Sequence, residues 1–136
     1  MKIMTTATTP IPTIAVFPEE KLTLSEKIEK WVWHYCRSLE QNYQQSYPNS
    51  SSDKTFKMKL GKKYWKIVQS DIDANGKEWS GGVHAFIDKK TGEVYKPASY
   101  KSPAKIVRFD LRLIKDRENL HDPRFTDWAG GHLYLR

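Results

Sequence analysis

The sequence predicts an α+β domain: a long amino-terminal helix packed on an antiparallel sheet of about four strands, with a basic proline-containing loop and an irregular carboxyl-terminal segment. Three observations carry this prediction. Leu24, Ile28, Trp31, Tyr35 and Leu39 recur at three- and four-residue steps, the mark of an amphipathic helix. Phe56, Met58 and Leu60 alternate with Lys57 and Lys59, the two-residue period of a strand. Asn75-Gly76 separates two apolar runs and is a strong hairpin-turn signal, because both central positions of a type I′ turn need positive φ.

Taken in order, residues 1 to 22 combine threonines with Pro10, Pro12 and Pro18 and a short apolar patch at Ile14, Val16 and Phe17. They read as an extended arm with room for one edge strand or for a swap onto a neighbour. Thr23 followed by Glu26 is a capping box that starts the helix, which runs from about Leu24 to about Tyr43. Pro48 to Asp53 is a polar turn-forming loop. Phe56 to Leu60 and Tyr64 to Gln69 then form a hairpin around Gly61, and the Asn75-Gly76 turn leads into a strand at Gly82–Asp88. Lys89 to Gly92 turns the chain into Glu93–Lys96. Pro103 and Ala104 begin a turn or short helix, and Ile106 to Ile114 fit a strand and a helix alike. At 136 residues, positions 23 to 136 make a single domain, large enough to bury a core without metals or disulfides.

Bulk composition narrows the functions. A net charge of +7 favours polyanionic partners such as nucleic acid or nucleotides. Cys36 is the single cysteine, so intramolecular disulfides and thiolate metal clusters are excluded and a reducing compartment, the cytoplasm, is expected. No apolar run reaches signal-peptide or membrane-span length, so no membrane association is expected.

The chemistry concentrates in DKKTGEVYKPASYKSPAK, residues 88 to 105. Lys96, Lys101 and Lys105, with Arg108 just beyond, can neutralise phosphate; Ser99 and Ser102 can donate to phosphate oxygens; Tyr95 and Tyr100 offer faces for a base. Prolines 97 and 103 bracket this loop. Ser80-Gly81-Gly82, ahead of the third strand, could gather backbone amides into an anion-binding nest, and His84 follows closely. Tyr64, Trp65, Trp79 and Phe86 fit either a stacking platform or core; Trp65, Ile67, Phe86 and Val94 are natural partners for Trp31 and Tyr35 of the helix.

Several chemistries are not indicated. Asp71 to Gly76 matches half of a calcium loop, but Gly82 stands where the bidentate glutamate is required. His34, His84, His121 and His132 lack metal-ligand spacing, and the carboxylates at 71, 73, 78, 88 and 93 fall on opposite ends of the hairpins. No catalytic residue, cofactor or metal is therefore expected.

Gly82 to Asp88, Thr91 to Tyr95, the run Lys96 to Lys105 and the ending Trp128-Ala129-Gly130-Gly131-His132-Leu133-Tyr134 resemble small proteins encoded by tailed phages and prophages. The resemblance covers roughly residues 62 to 136 and implies a phage origin and a bacterial host, without implying an activity. Small basic phage proteins include sponges for immune nucleotide signals, an analogy of class only. The leading expectation is thus a non-enzymatic protein that sequesters a phosphate-bearing ligand such as a cyclic oligonucleotide, with a homo-oligomer helping to form the pocket. The alternatives are sequence-nonspecific nucleic-acid binding by the same basic surface, and docking on a host protein.

Overall fold

The computed structural model describes residues 18–134. They form a helix α1 (Leu24–Ser46), five strands β1 (Asp53–Leu60), β2 (Tyr64–Ile72), β3 (Glu78–Asp88), β4 (Glu93–Pro97) and β5 (Pro103–Asp110), and a short helix α2 (Ile114–Leu120). The apolar patch expected in the arm lies outside the described residues. The described end of the arm is not extended: Glu19–Lys21 is a 3-10 turn, Glu19 accepts a 2.8 Å hydrogen bond from the Trp31 indole, and Leu22 is buried.

The capping box forms as its sequence requires. The Thr23 hydroxyl accepts from the Glu26 amide while the Glu26 carboxylate accepts from the Thr23 amide, which satisfies two otherwise orphaned donors. From there Ile28, Trp31, Val32, Tyr35, Cys36, Leu39 and Tyr43 present one buried stripe.

That stripe packs on one face of an antiparallel sheet with strand order β1-β2-β3-β4-β5. Phe56, Ile67, Ala85, Ile87 and Val94 supply the sheet side of the core, and Leu111, Leu120 and Leu133 close it. Phe86 is not a partner of the helix: lying between Ala85 and Ile87, it projects to the opposite, outer face, against Tyr64. Trp65 stays on the inner face, at the margin of the core.

The fifth strand falls where the sequence fitted two periods. Val94 pairs with Phe109 but Tyr95 pairs with Val107, so Arg108 is an extra residue in a β-bulge that breaks the alternation. As an edge strand, β5 also leaves Ile106 and Val107 exposed, which blurs the pattern further.

The Asn75-Gly76 hairpin exists, but not as a type I′ turn, because only Gly76 has positive φ, at 83°. The Gly76 amide donates to the Asp73 carbonyl, and the Asp73 carboxylate accepts from the amides of Asn75 and Lys77. This side-chain anchoring favours a longer loop with a single left-handed glycine.

β3 begins at Glu78, so Ser80-Gly81-Gly82 lies inside the strand and not ahead of it. Two irregularities follow from the register with β2. Ile67 pairs with Ala85 and Val68 with Val83, leaving His84 as an extra residue turned to the inner face. Val68 pairs with Val83 and Ser70 with Ser80, so Gly81 and Gly82 together oppose Gln69. A Cβ on Gly81 would stand 2.9 Å from the Gln69 carbonyl oxygen, whereas one on Gly82 would meet nothing within 4 Å. Gly81→Ala is therefore expected to destabilise the fold by about 1–3 kcal/mol, and Gly82→Ala to stay within about 0.5 kcal/mol; urea unfolding of the two variants measures the contrast.

Candidate functional site

Two concave surfaces flank the β4–β5 connection, one on each face of the sheet. The outer one starts from a cross-strand row. Lys59 pairs with Lys66, Lys66 with Phe86, and Phe86 with Tyr95, so one line of side chains crosses four strands. Lys62 and Lys63 from the β1–β2 turn and Lys101 from the β4–β5 loop complete a cleft of about 480 Å³ around Tyr64 and Phe86. No acidic residue lines it, and none of these five lysines is in an ion pair among the described residues. The aromatics hold the cations locally: Lys66 Nζ lies 4.2 Å from the Tyr100 ring centroid and 5.7 Å from that of Phe86, and Lys63 Nζ is 5.4 Å from Tyr64.

The loop that delivers Tyr100 and Lys101 is self-supporting. Pro97 pairs with Pro103 at its base, the Ala98 and Ser99 amides donate to the Ser102 carbonyl, and the Ser99 hydroxyl accepts from the amides of Lys101 and Ser102. Ser99 and Ser102 hydroxyls also bond to each other at 3.0 Å. Both serines thus shape the loop. Tyr100 remains about half exposed over the lysine row.

The inner surface is a smaller cleft of about 340 Å³, lined among others by Gln69, His84, Lys96, Trp128, Gly130 and Tyr134. The bulge that turns His84 inward places its Nε2 3.2 Å from the Tyr35 hydroxyl, and the same hydroxyl lies 2.7 Å from His132 Nε2. The Asp127 amide lies 3.0 Å from His132 Nδ1 and must donate to it. That one contact orients the whole chain. His132 Nδ1 is an acceptor, so its proton is on Nε2 and is given to the Tyr35 oxygen; Tyr35 then donates to His84 Nε2, which leaves the His84 proton on Nδ1. Burial holds both rings neutral, His84 pushed down to about 3 and His132 to about 4, and burial raises the Tyr35 phenol well above its ordinary range. The two imidazoles stack with centroids 5.6 Å apart.

The candidate residues are accordingly divided. Lys101 lines the outer cleft and Tyr100 adjoins it through Lys66, while Lys96 and His84 line the inner one. Lys105 is exposed on β5, Arg108 is half-buried at its bulge, and Ser80, Gly81 and Gly82 belong to the strand irregularity. Of the aromatics weighed as a platform, Tyr64 and Phe86 lie in the outer cleft, Trp65 packs on the core, and Trp79 lines a separate hollow beside Tyr47. Lys59, Lys62 and Lys63 were visible in the sequence only as the polar phase of a strand and its turn. Tyr35 and His132 lie 97 residues apart, and no spacing rule joins them. Among the described residues no three His, Cys, Asp or Glu side chains form a metal-binding group, and no helix is long and apolar enough to cross a membrane.

Two stability experiments test the buried chain. Tyr35→Phe leaves the His132 Nε2–H and His84 Nε2 without a partner and is expected to cost about 1–3 kcal/mol in urea unfolding, while Tyr95→Phe, at the partly buried outer row, is expected to cost under about 0.5 kcal/mol. Acid should act in the same direction. His84, His121 and His132 titrate near 6.5 when unfolded but are pushed to about 3, about 4 and about 4 in the fold, chiefly by burial. Their contribution is full above pH 6.5 and is lost as pH falls toward the folded values. Glu29 and Glu40, raised by burial, act in the opposite sense. The melting temperature is expected to fall between pH 7 and pH 5, with a loss at pH 5 of up to about 2 kcal/mol per histidine; a flat profile contradicts neutral burial of these rings.

No curated protein and no solved structure matches the chain. Residues 15–135 match the family of unknown function DUF7717, a span that takes in α1, the whole sheet and both clefts, and the chain belongs to that family.

Proposed function

We propose that the protein binds single-stranded nucleic acid on the outer face of its sheet and carries out no reaction on it. The observation that carries this reading is the lysine row: five lysines around Tyr64 and Phe86, with Tyr100 against Lys66 and no carboxylate lining the cleft among the described residues. Lysines of this kind track a phosphate backbone, and the half-exposed Tyr100 ring can accept a base of any identity by stacking. The cleft is open and its lysines are solvent-exposed or half-exposed, which suits a strand passing across it better than a ligand enclosed on all sides. Sequestration of a cyclic oligonucleotide would need deeper enclosure than this face gives in one copy. A bacterial-host cytoplasm, expected from the lone Cys36 and the phage resemblance, supplies ligands of the proposed class.

Binding of a short single-stranded DNA is expected to weaken with salt, log K falling against log salt with a slope of about −2 to −4 for three to five displaced phosphate counterions. Tyr100→Ala is expected to cost about 1–3 kcal/mol of affinity, and Lys66→Ala to make the salt slope shallower by about 0.7. Fluorescence anisotropy over a salt series reads both effects; unchanged affinity in the two variants contradicts this face as the site.

A further inference from the structure

We propose that the inner cleft is a second site, which takes a small planar ligand bearing a phosphate, of the nucleoside monophosphate class, independently of the outer face. The floor of the cleft is His84, only 7% exposed. Its Nε2 is occupied by the Tyr35 hydroxyl, so its remaining proton stands on Nδ1, which has no hydrogen-bond partner among the described residues. The nitrogen is not sealed inside the protein but opens on the cleft, where an occupant that offers an acceptor can meet it. Because the ring is neutral, it serves as a fixed donor and not as a base.

The rest of the lining supplies what such an occupant needs. Lys96 brings a cation, with Nζ 4.8 Å from the Tyr134 ring centroid, and among the described residues no carboxylate lines the cleft to compete with a phosphate. Gln69 adds an amide that can both donate to and accept from a ring edge. Two aromatic walls face the space. Trp128 is fixed by ring contacts to Tyr43 and Tyr47 and by its amide donating to the Asn42 side chain, whereas Tyr134 is 60% exposed and carries Lys96 over its ring. Gly130, with φ of 88°, takes the left-handed turn that brings the backbone beside the His84 ring, a conformation that other residues rarely adopt. At about 340 Å³ the cleft lies at the small end of ligand pockets, suited to one nucleotide and not to a strand.

Calorimetric titration of the full chain with AMP, GMP, CMP and UMP, and with ribose 5-phosphate and inorganic phosphate, tests this. The expected result is saturable binding of at least one nucleoside monophosphate, stronger than either non-planar phosphate and at least tenfold weaker in Lys96→Ala, with no change in Tyr100→Ala or Lys66→Ala. His84→Gln opens the buried chain, so Lys96→Ala on the cleft wall is the deciding variant. Absence of binding by all four nucleotides at millimolar concentration, equal binding of ribose 5-phosphate, an unchanged affinity in Lys96→Ala, or loss in the outer-face variants overturns the proposal. The outer-face variants separate its failure from that of strand binding on the lysine row.

Discussion

The Tyr35 hydroxyl is the constraint on which the rest depends. It is the polar end of a fully buried side chain in the middle of α1, and an unpaired hydroxyl there would cost several times what an ordinary surface contact returns. Its partners come from two distant places, His84 of β3 and His132 near the carboxyl terminus, so satisfying one hydroxyl ties helix, sheet and terminal segment together. Each partner needs a local irregularity to arrive. His84 reaches the inner face because a bulge adds a residue to β3. His132 arrives through the turn at Gly130, where the Asp127 carboxylate accepts from the amides of Ala129 and Gly131, and a Cβ on Gly131 would displace that carboxylate.

The same arrangement determines which chemistry each face can offer. The inner face spends its apolar side chains on the core and keeps one rigid, neutral donor beside Lys96. The outer face keeps Phe86 and Tyr64 under a row of lysines that make no ion pair among the described residues. A single loop serves both surfaces: Lys96 at its entry lines the inner cleft, and Lys101 three residues beyond Ala98 lines the outer one. Ser99 and Ser102 make this possible by holding the loop shut with hydrogen bonds of their own.

The helix was legible because capping chemistry and burial period are both local, and α1 starts at the residue the Thr23–Glu26 pair dictates. The meander was legible for the same reason, down to the hairpin at Gly76. Its turn type was not, since the Asp73 carboxylate reshapes the loop from outside the two central residues. β5 escaped because a bulged edge strand has neither clean alternation nor a buried run. In the site, the basic loop was visible but its partners were not: Tyr100 meets Lys66 only through the strand register, and the histidines that read as scattered are gathered by the fold. Long-range pairing of this kind leaves no trace in spacing.

The central claim is that the buried hydrogen bonds run in one direction, from the Asp127 amide through His132 and Tyr35 to His84. Imidazole 15N chemical shifts at neutral pH test it directly, because the two neutral tautomers give distinct patterns. The structure predicts His132 protonated on Nε2 and His84 protonated on Nδ1. A His84 ring protonated on Nε2, or either ring charged at neutral pH, would contradict the direction of the chain and leave the inner cleft without its donor.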